Sequence, residues 1–426
     1  MPLQLKEFLA NSYTAYHACE NVKQELEANG FIGLSENQDW SICEGGKYYV
    51  MRGGSSLIAF TVGSLDDFSY KIVATHTDSP ALKIKENPVM KKGNCATLNV
   101  ETYGGGIWYS FFDRPLKIAG RVVRKSGLSL KTETVEAPFF VQIPSVAIHQ
   151  NREANDKFSV NAQIDLQPLC ALIGEDFNNA QVLKKAVGEN VISYDLFLVN
   201  ADMPYLFGLN DEFLAAPRID NLACSYAGLK ALLSATETSG ICVLALMDNE
   251  EIGSLSKQGA DGDFLETTLR RVAYALRFDD NEFYKALAES FMLSADNAHA
   301  VHPNHPEKAD PTNGPKLGGG IVIKAHANKA YMTDALSAAV VKTVFENAEV
   351  PCQDFYNRSD VRSGSTLGSL VTRHVGVAGA DIGIAQLAMH SACESIAVAD
   401  YQTMVKGLSA YYATTLKFSD DTIFVE

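Results

Sequence analysis

The sequence of 426 residues lacks any hydrophobic run long enough to span a membrane. Its longest clean apolar run, residues 241–247, has seven residues, whereas a membrane helix needs about 20. Positive charge is also scarce, because 36 Lys and Arg stand against 51 Asp and Glu and give a net charge of −15. We therefore expect neither a nucleic-acid nor a membrane partner, since no general basic field exists to gather phosphates.

Closely spaced cysteines are missing as well. The nearest pair among the eight cysteines, Cys224 and Cys242, is 18 residues apart, so no CxxC redox motif or local zinc finger can form. The first 30 residues have helical apolar spacing rather than the basic start and apolar centre of a secretory signal. Both observations favour a cytoplasmic protein with reduced, buried thiols.

Three common catalytic signatures do not occur in the sequence. There is no HExxH single-zinc peptidase motif and no GxSxG nucleophile elbow. The glycine triplets at 104–106 and 318–320 do not lead into GK[ST], so they predict turns rather than phosphate loops. Any catalytic site must therefore be assembled from residues that are distant in the sequence.

The sequence does contain alternating helical and apolar strand patterns. Helical spacing covers residues 222–234 and 398–416, and residues 71–74 and 241–247 indicate buried strands. Residues 86–216 instead predict β-strands punctuated by glycine and proline. We predict an α/β protein with a mainly parallel sheet flanked by helices, residues 1–85 and 217–426, interrupted by an inserted β-rich domain, residues 86–216. Ligands then belong at the carboxyl ends of the parallel strands.

Five short motifs place carboxylates and imidazoles near predicted strand or helix ends. They are THTDSP with His76 and Asp78, APRIDN with Asp220, DNEEIGS with Glu250 and Glu251, SADNAHAVHPN with Asp296, and AMHSACE with His390. Imidazoles together with carboxylates suit zinc and similar borderline cations. Each motif alone has another explanation, because a lone histidine is often a core or surface residue, Asp220 could cap a helix, and an acidic turn could lie on the surface. The sequence separations alone do not identify a site.

In their order and spacing, the five motifs closely resemble the aspartyl aminopeptidase family over nearly the whole chain. The resemblance implies a metallopeptidase domain with a β-rich insertion and two co-catalytic zinc ions. Cobalt or manganese would also suit these ligand types. The resemblance further implies that the enzyme removes N-terminal Asp or Glu from short peptides. It also implies a homo-oligomer, a tetrahedral dodecamer.

The same resemblance implies residue roles at the metal site. His76 and Asp296 are expected to hold one metal and Glu251 and His390 the other, with Asp220 bridging them. Glu250 is expected to act as the general base on the zinc-activated water. Asp78 is expected to orient His76.

Two further roles concern the substrate. His149 is implied as a histidine that the insertion supplies to a neighbouring subunit's active site, and an ordinary surface histidine is the alternative. Because a chain at −15 repels acidic peptides at long range, the acidic side chain needs a local positive group. The candidates are Lys329, Arg358 and Arg362, with Ser365 as a further donor unless it belongs to a plain Gly-Ser turn.

Two other functions stay open from the sequence. The first is a dizinc aminopeptidase of the same fold with neutral specificity, because the metal ligands do not determine the side-chain pocket. The second is a non-catalytic scaffold that keeps the fold. The presence of all five ligand candidates together with Glu250 argues against the scaffold.

Overall fold

The computed structural model describes residues 2–66, 68–175, 177–235, 238–419 and 422–426. Over these residues the helices are α1 (Pro2–Asn11), α2 (Ala15–Ala28), α3 (Asn179–Val187), α4 (Ile219–Ser234), α5 (Phe264–Ala275), α6 (Asp280–Ala288), α7 (Ala335–Asn347), α8 (Leu367–Val371) and α9 (Val398–Ala413). The strands are β1 (Ile32–Leu34), β2 (Lys47–Arg52), β3 (Ser56–Val62), β4 (Tyr70–His76), β5 (Ala81–Lys92), β6 (Cys95–Tyr103), β7 (Leu116–Ser126), β8 (Ser129–Val141), β9 (Leu169–Leu172), β10 (Val191–Asn200), β11 (Tyr205–Phe207), β12 (Phe213–Ala216), β13 (Ile241–Met247), β14 (Phe291–Ala295), β15 (Ala298–His299), β16 (Ile321–Lys324), β17 (Cys352–Phe355), β18 (Ala378–Gly383), β19 (Ala385–Leu387), β20 (Glu394–Ala397), β21 (Leu416–Ser419) and β22 (Thr422–Val425).

The largest sheet has nine strands in the order β1-β2-β3-β13-β4-β14-β18-β16-β17. Its four central strands, β13, β4, β14 and β18, run parallel to one another. Antiparallel pairings occur where β2 meets β3, where β3 meets β13 and where β16 meets β18. The predicted fold class, an α/β protein with a mainly parallel sheet, is confirmed.

Helices cover both faces of this sheet. Helices α1, α2, α4, α7 and α9 pack in one apolar layer, and α5, α6 and α8 pack in the other. Successive side chains of β13 point into opposite layers, as Leu244 and Val243 show. A strand buried on both faces needs an unbroken apolar sequence, which explains the run that forms β13.

A second sheet is antiparallel and has its own core. Its six strands lie in the order β8-β7-β10-β5-β6-β9, and α3 packs against the same apolar cluster. The sheet begins with β5 at Ala81, and β10 ends at Asn200. It forms the β-rich part of the fold class, while the domain limits at residues 86 and 216 stay a prediction.

A small third sheet connects these parts next to the strand ends of the large sheet. Its order is β11-β12-β20-β19-β15. In the pairing of β12 with β20, Ala216 lies opposite Glu394. This pairing brings the start of α4 beside the segment that precedes β20. Among the helices of the described residues, none is long and apolar enough to cross a bilayer.

Candidate metal centre

Three of the predicted ligand segments follow adjacent parallel strands. His76 is the last residue of β4 and lies opposite Met247, the last residue of β13. A short 3-10 turn, Glu250–Ile252, follows β13, and Asp296 directly follows β14 on the other side of β4. The carboxyl ends of these strands meet at one edge, where α/β sheets bind ligands.

Two further ligands come from the connections near the small third sheet. Asp220 lies in the first turn of α4, immediately after β12, and only 2% of its surface is exposed. His390 lies in the segment before β20 and has a φ angle of +66°. The structure thus brings together the five predicted ligands, which come from five separate segments of the chain.

The five side chains form two groups that share Asp220. In the first, His76 Nε2 lies 3.5 Å from Asp220 Oδ1 and 3.5 Å from Asp296 Oδ1. In the second, His390 Nε2 lies 3.3 Å from Glu251 Oε2 and 3.8 Å from Asp220 Oδ2. The ligand atoms of each group all lie within 4.8 Å of one another. Asp220 therefore directs one oxygen toward each group.

Unsatisfied oxygens show that this cluster fits a cation. Asp220 Oδ1 and Glu251 Oε1 are buried and have no hydrogen-bond partner in the described structure. Leaving a buried acceptor unpaired costs about 1–3 kcal/mol, and more for a charged group. Cations coordinated by these atoms would remove that cost, and mixed imidazole and carboxylate donors suit zinc.

The pKa values of three side chains in the cluster are raised, which also indicates that the cluster lacks a positive charge. Burial, followed by neighbouring carboxylates such as Asp296, raises the pKa of Glu250 to about 8. Burial and the nearby Asp220 raise the pKa of Glu251 well above its ordinary value. Burial alone would lower the pKa of His76, but the neighbouring carboxylates of Asp220, Asp296 and Asp78 raise it well above its ordinary value. Metal binding would replace protons held by such groups.

Asp78 connects His76 to the turn that carries the two glutamates. The ring Nδ1 of His76 donates to the Asp78 carbonyl oxygen at 3.1 Å, which leaves Nε2 to face the cluster. The Asp78 carboxylate accepts the backbone N–H groups of Glu250 and Glu251, each at 3.1 Å. The Tyr103 hydroxyl also donates to it at 2.8 Å. Asp78 is therefore hydrogen-bonded to both the imidazole and the acidic turn.

The antiparallel sheet domain also reaches the cluster. The carbonyl oxygen of Gly105 lies 3.1 Å from His390 Nδ1 and can only accept a hydrogen bond. The ring therefore carries its proton on Nδ1, and Nε2 is free to bind a cation. The Ile107 N–H donates to the His390 carbonyl at 2.8 Å. Backbone groups that follow β6 thus fix the direction of this imidazole.

A cavity of about 140 Å³ opens onto the ligand groups. Beyond the five ligands and Glu250, it is lined by Asn297, Ala298, His299, Lys324, Tyr331, Phe355, Gly364, Ser365, Thr366 and Met389. Ser365, a predicted substrate contact, lies at this cavity. Glu250 shares the cavity but belongs to neither ligand group.

The other predicted substrate residues lie elsewhere in the described structure. Lys329 is exposed and donates to the Thr333 carbonyl. Arg358 is bound to the Asp360 carboxylate, and Arg362 is exposed. His149 lies in an exposed loop of the antiparallel sheet domain. None of these four predicted residues lines the cavity around the ligand groups.

The basic residue that does line the cavity is Lys324, which sequence reasoning did not single out. Only 2% of Lys324 is exposed, and its Nζ lies 3.5 Å from Asp296 Oδ2 and 3.2 Å from the Asn297 carbonyl. Burial alone would lower the pKa of Lys324, but Asp296 and other anions raise it, so the ammonium stays charged. A sequence signal existed, because this lysine ends an otherwise apolar strand, IVIK.

A buried cluster of imidazoles and carboxylates at the carboxyl edge of a parallel sheet is typical of a metal site in an α/β protein. Residues 8–412 match the family described as aminopeptidase I zinc metalloprotease (M18). The chain is also 42% identical over 423 residues to "Probable M18 family aminopeptidase 2" of Clostridium acetobutylicum, covering 96% of this chain and 98% of the relative. The chain belongs to the M18 family and is a zinc aminopeptidase, which confirms the predicted resemblance at the level of this family.

Solved structures agree with this assignment. The structure described as the Ape4 and Nbr1 complex matches with a TM-score of 0.92 and 33% identity, covering 96% of this chain and 85% of that one. The S. cerevisiae mApe1 dodecamer matches with a TM-score of 0.83 and 27% identity, covering 96% and 95%.

Proposed function

We propose that this aminopeptidase releases N-terminal Asp or Glu from short peptides. The observation that carries the proposal is the position of Lys324, a buried cation in the wall of the cavity that opens onto both ligand groups. A buried ammonium discriminates strongly between an acidic and an apolar side chain, because an unpaired buried charge is costly. Lys324 directs its ammonium at Asp296 Oδ2 and the Asn297 carbonyl, which leaves a third N–H donor for a substrate carboxylate.

We further propose two zinc ions per chain. His76 and Asp296 would hold one, Glu251 and His390 the other, and Asp220 would bridge them. Support comes from the two groups of ligand atoms and from the two orphaned carboxylate oxygens. Bound zinc would supply polarisation of the scissile carbonyl and acidity of the attacking water. Cobalt or manganese would suit the same donors.

Glu250 is the proposed general base. Its carboxylate takes the proton of the attacking water and passes it to the leaving amine as the peptide bond breaks. Support comes from its place in the cavity beside the ligands but outside both ligand groups. Asp78 holds the backbone of Glu250 and thereby aims this carboxylate.

The assembly is proposed to be a homo-oligomer, a tetrahedral dodecamer, built through the β-rich insertion of residues 86–216. A similar solved structure, that of mApe1, is described as a dodecamer. Two apolar residues beside His149, namely Val146 and Ile148, leave 61% and 49% of their surface exposed, which favours contact with another subunit. His149 would then reach the active site of a neighbouring copy.

Replacing Lys324 tests the proposed specificity. We expect Lys324→Met to lower the ratio of kcat/KM for an N-terminal Asp peptide to that for the matched Leu peptide by about 10- to 100-fold, the equivalent of a charged hydrogen bond. Lys329→Met is the matched control, because Lys329 is an exposed lysine outside the cavity lining. Zinc content is measured for each variant.

An unchanged Asp-to-Leu ratio in zinc-loaded Lys324→Met would remove Lys324 from substrate recognition. A wild-type preference for Leu would favour the neutral aminopeptidase. A wild-type protein that binds less than one zinc per chain and releases no residue would favour the scaffold.

A further inference from the structure

Glu394 connects the two ligand groups through the backbone rather than through a metal. Its Oε2 accepts the N–H of Asp220 at 2.9 Å, and its Oε1 accepts the N–H of His390 at 2.6 Å. Only 2% of Glu394 is exposed. The buried side chain of Glu394 thus holds Asp220, which both ligand groups share, together with His390, which belongs to the second group only.

Both of the bonded segments need such an acceptor. His390 has a φ of +66°, a left-handed conformation that is unfavourable for a residue with a Cβ and persists only where its surroundings enforce it. Asp220 lies at the start of α4 with non-helical backbone angles (φ −80°, ψ 109°), so its N–H has no partner within the helix. Each carboxyl oxygen of Glu394 accepts one of these N–H groups, so a single side chain satisfies both donors at once.

The surrounding structure holds Glu394 itself in a fixed place. It is the first residue of β20 and lies opposite Ala216, the last residue of β12, in the third sheet. From Ala216 the chain continues through Arg218, which is buried, into α4. The position of Glu394 is therefore set by sheet pairing, independently of the metal ligands.

We propose that Glu394 is a positioning residue that sets the separation of the two metal sites. By fixing the backbones of Asp220 and His390 together, it keeps one Asp220 oxygen directed to each cation and His390 Nε2 directed to the second. This role rests on the two-zinc site proposed above. Removing the link should weaken the zinc held by Glu251 and His390 more than the zinc held by His76 and Asp296.

The test is zinc titration of metal-free Glu394→Gln against a competing chelator. Glutamine replaces one of the two acceptor oxygens of Glu394 with an NH2 group, which cannot accept a hydrogen bond from the backbone N–H that it faces. One of the two hydrogen bonds is therefore lost, while the volume of the side chain is nearly unchanged. We expect two zinc ions per chain in the wild type. The variant should keep one tight zinc and bind the second about 10- to 100-fold more weakly, the usual effect of losing a residue that orients a ligand.

Asp400→Asn is the matched control. Asp400 is also buried, and its carboxylate accepts two backbone N–H groups, those of Gly318 and Gly320, at 2.7 and 2.9 Å. It does not line the metal cavity. We expect this variant to bind both zinc ions as the wild type does, even if its thermal midpoint falls.

Two unchanged zinc affinities in folded Glu394→Gln would overturn the role of Glu394, and so would equal weakening of both sites. A wild type that binds a single zinc would instead overturn the two-zinc site on which the role depends. If Glu394→Gln does not fold, Glu394→Asp provides the same test. It keeps the charge but withdraws both oxygens by one methylene, and it should show the same selective loss; an unchanged second affinity would again contradict the proposal.

Discussion

At the scale of single residues, the adjacent Glu250 and Glu251 differ in the groups that lie next to their carboxylates. Glu251 Oε2 lies 3.3 Å from His390 Nε2 and belongs to a ligand group, whereas Glu250 lines the cavity without belonging to either group. We expect Glu250→Gln to lower kcat by about 10²- to 10⁴-fold, the usual contribution of a general base. Zinc content should stay at the wild-type level, as measured by metal analysis beside steady-state kinetics.

Glu251→Gln is the comparison for that experiment, because it should lose zinc affinity along with activity. If Glu250→Gln retains near-normal kcat with a full complement of zinc, Glu250 is not the base.

Residue types at strand ends were the part of the site that could be predicted from the sequence. His76 and the acidic pair follow apolar strands, and the parallel order of β13, β4 and β14 brings them to one edge. The proximity of Asp220 to His390 depends on the pairing of β12 with β20, and no local sequence pattern predicts this pairing. Lys329 and the two arginines were proposed from the sequence by charge alone, whereas the sequence signal for Lys324 was its place at the end of an apolar strand, and its burial became visible only in the fold.

At the scale of elements, β6 of the antiparallel sheet supports the metal centre of the other domain. The hydroxyl of Tyr103, the last residue of β6, donates to Asp78 at 2.8 Å and accepts from the Asn249 side chain at 2.9 Å. We expect Tyr103→Phe to weaken zinc binding by about 10-fold, because Asp78 loses a donor while it orients His76 and the acidic turn. Chelator competition measures this change.

Tyr109→Phe is a suitable control, because Tyr109 lies in the same domain and is 63% exposed. Equal zinc affinities for Tyr103→Phe and the wild type would show that β6 does not support the metal centre.

The sequence predicted strands correctly where burial on both faces of the sheet requires an unbroken apolar run. The strand predicted at residues 241–247 is β13 without change, and the strand predicted at 71–74 is the centre of β4. Helix ends were less accurate, since the helix predicted to end at residue 416 ends at Ala413. Leu416 instead begins β21, which pairs with β22, a contact that helical spacing cannot reveal.

At the scale of the whole molecule, the proposed role of His149 in a neighbouring active site makes activity depend on assembly. His149→Ala and Glu250→Gln should each be nearly inactive alone. Mixed assemblies should recover activity, because roughly a quarter of their sites would combine an intact Glu250 with an intact His149 from another copy. The measurement is the peptidase rate after the two variants are dissociated and reassembled together.

Reassembling each variant with itself gives the baseline. Absence of recovery in mixtures whose oligomeric state equals that of the wild type would place His149 outside the neighbouring site.

The alternation of helical and strand patterns was sufficient to predict an α/β chain interrupted by a β-rich insertion. The boundary at residue 86 was drawn where glycine and proline become frequent, yet β5 already begins at Ala81. Within residues 81–84, ALKI, every position except Lys83 is buried, so this short apolar segment fits either sheet by pattern alone. Which sheet they join is decided by pairing with β6 and β10.

The most direct measurement is the initial rate of release of N-terminal Asp, Glu, Leu and Ala from otherwise identical short peptides. It is made on untreated enzyme, on chelator-treated enzyme and on enzyme with zinc restored. We expect Asp or Glu to be released at least about 10-fold faster than Leu or Ala, as a buried ammonium in the pocket requires, with loss on chelation and recovery with zinc. Release of Leu or Ala at an equal or higher rate, or release that survives chelation, would contradict the proposed acidic, zinc-dependent specificity.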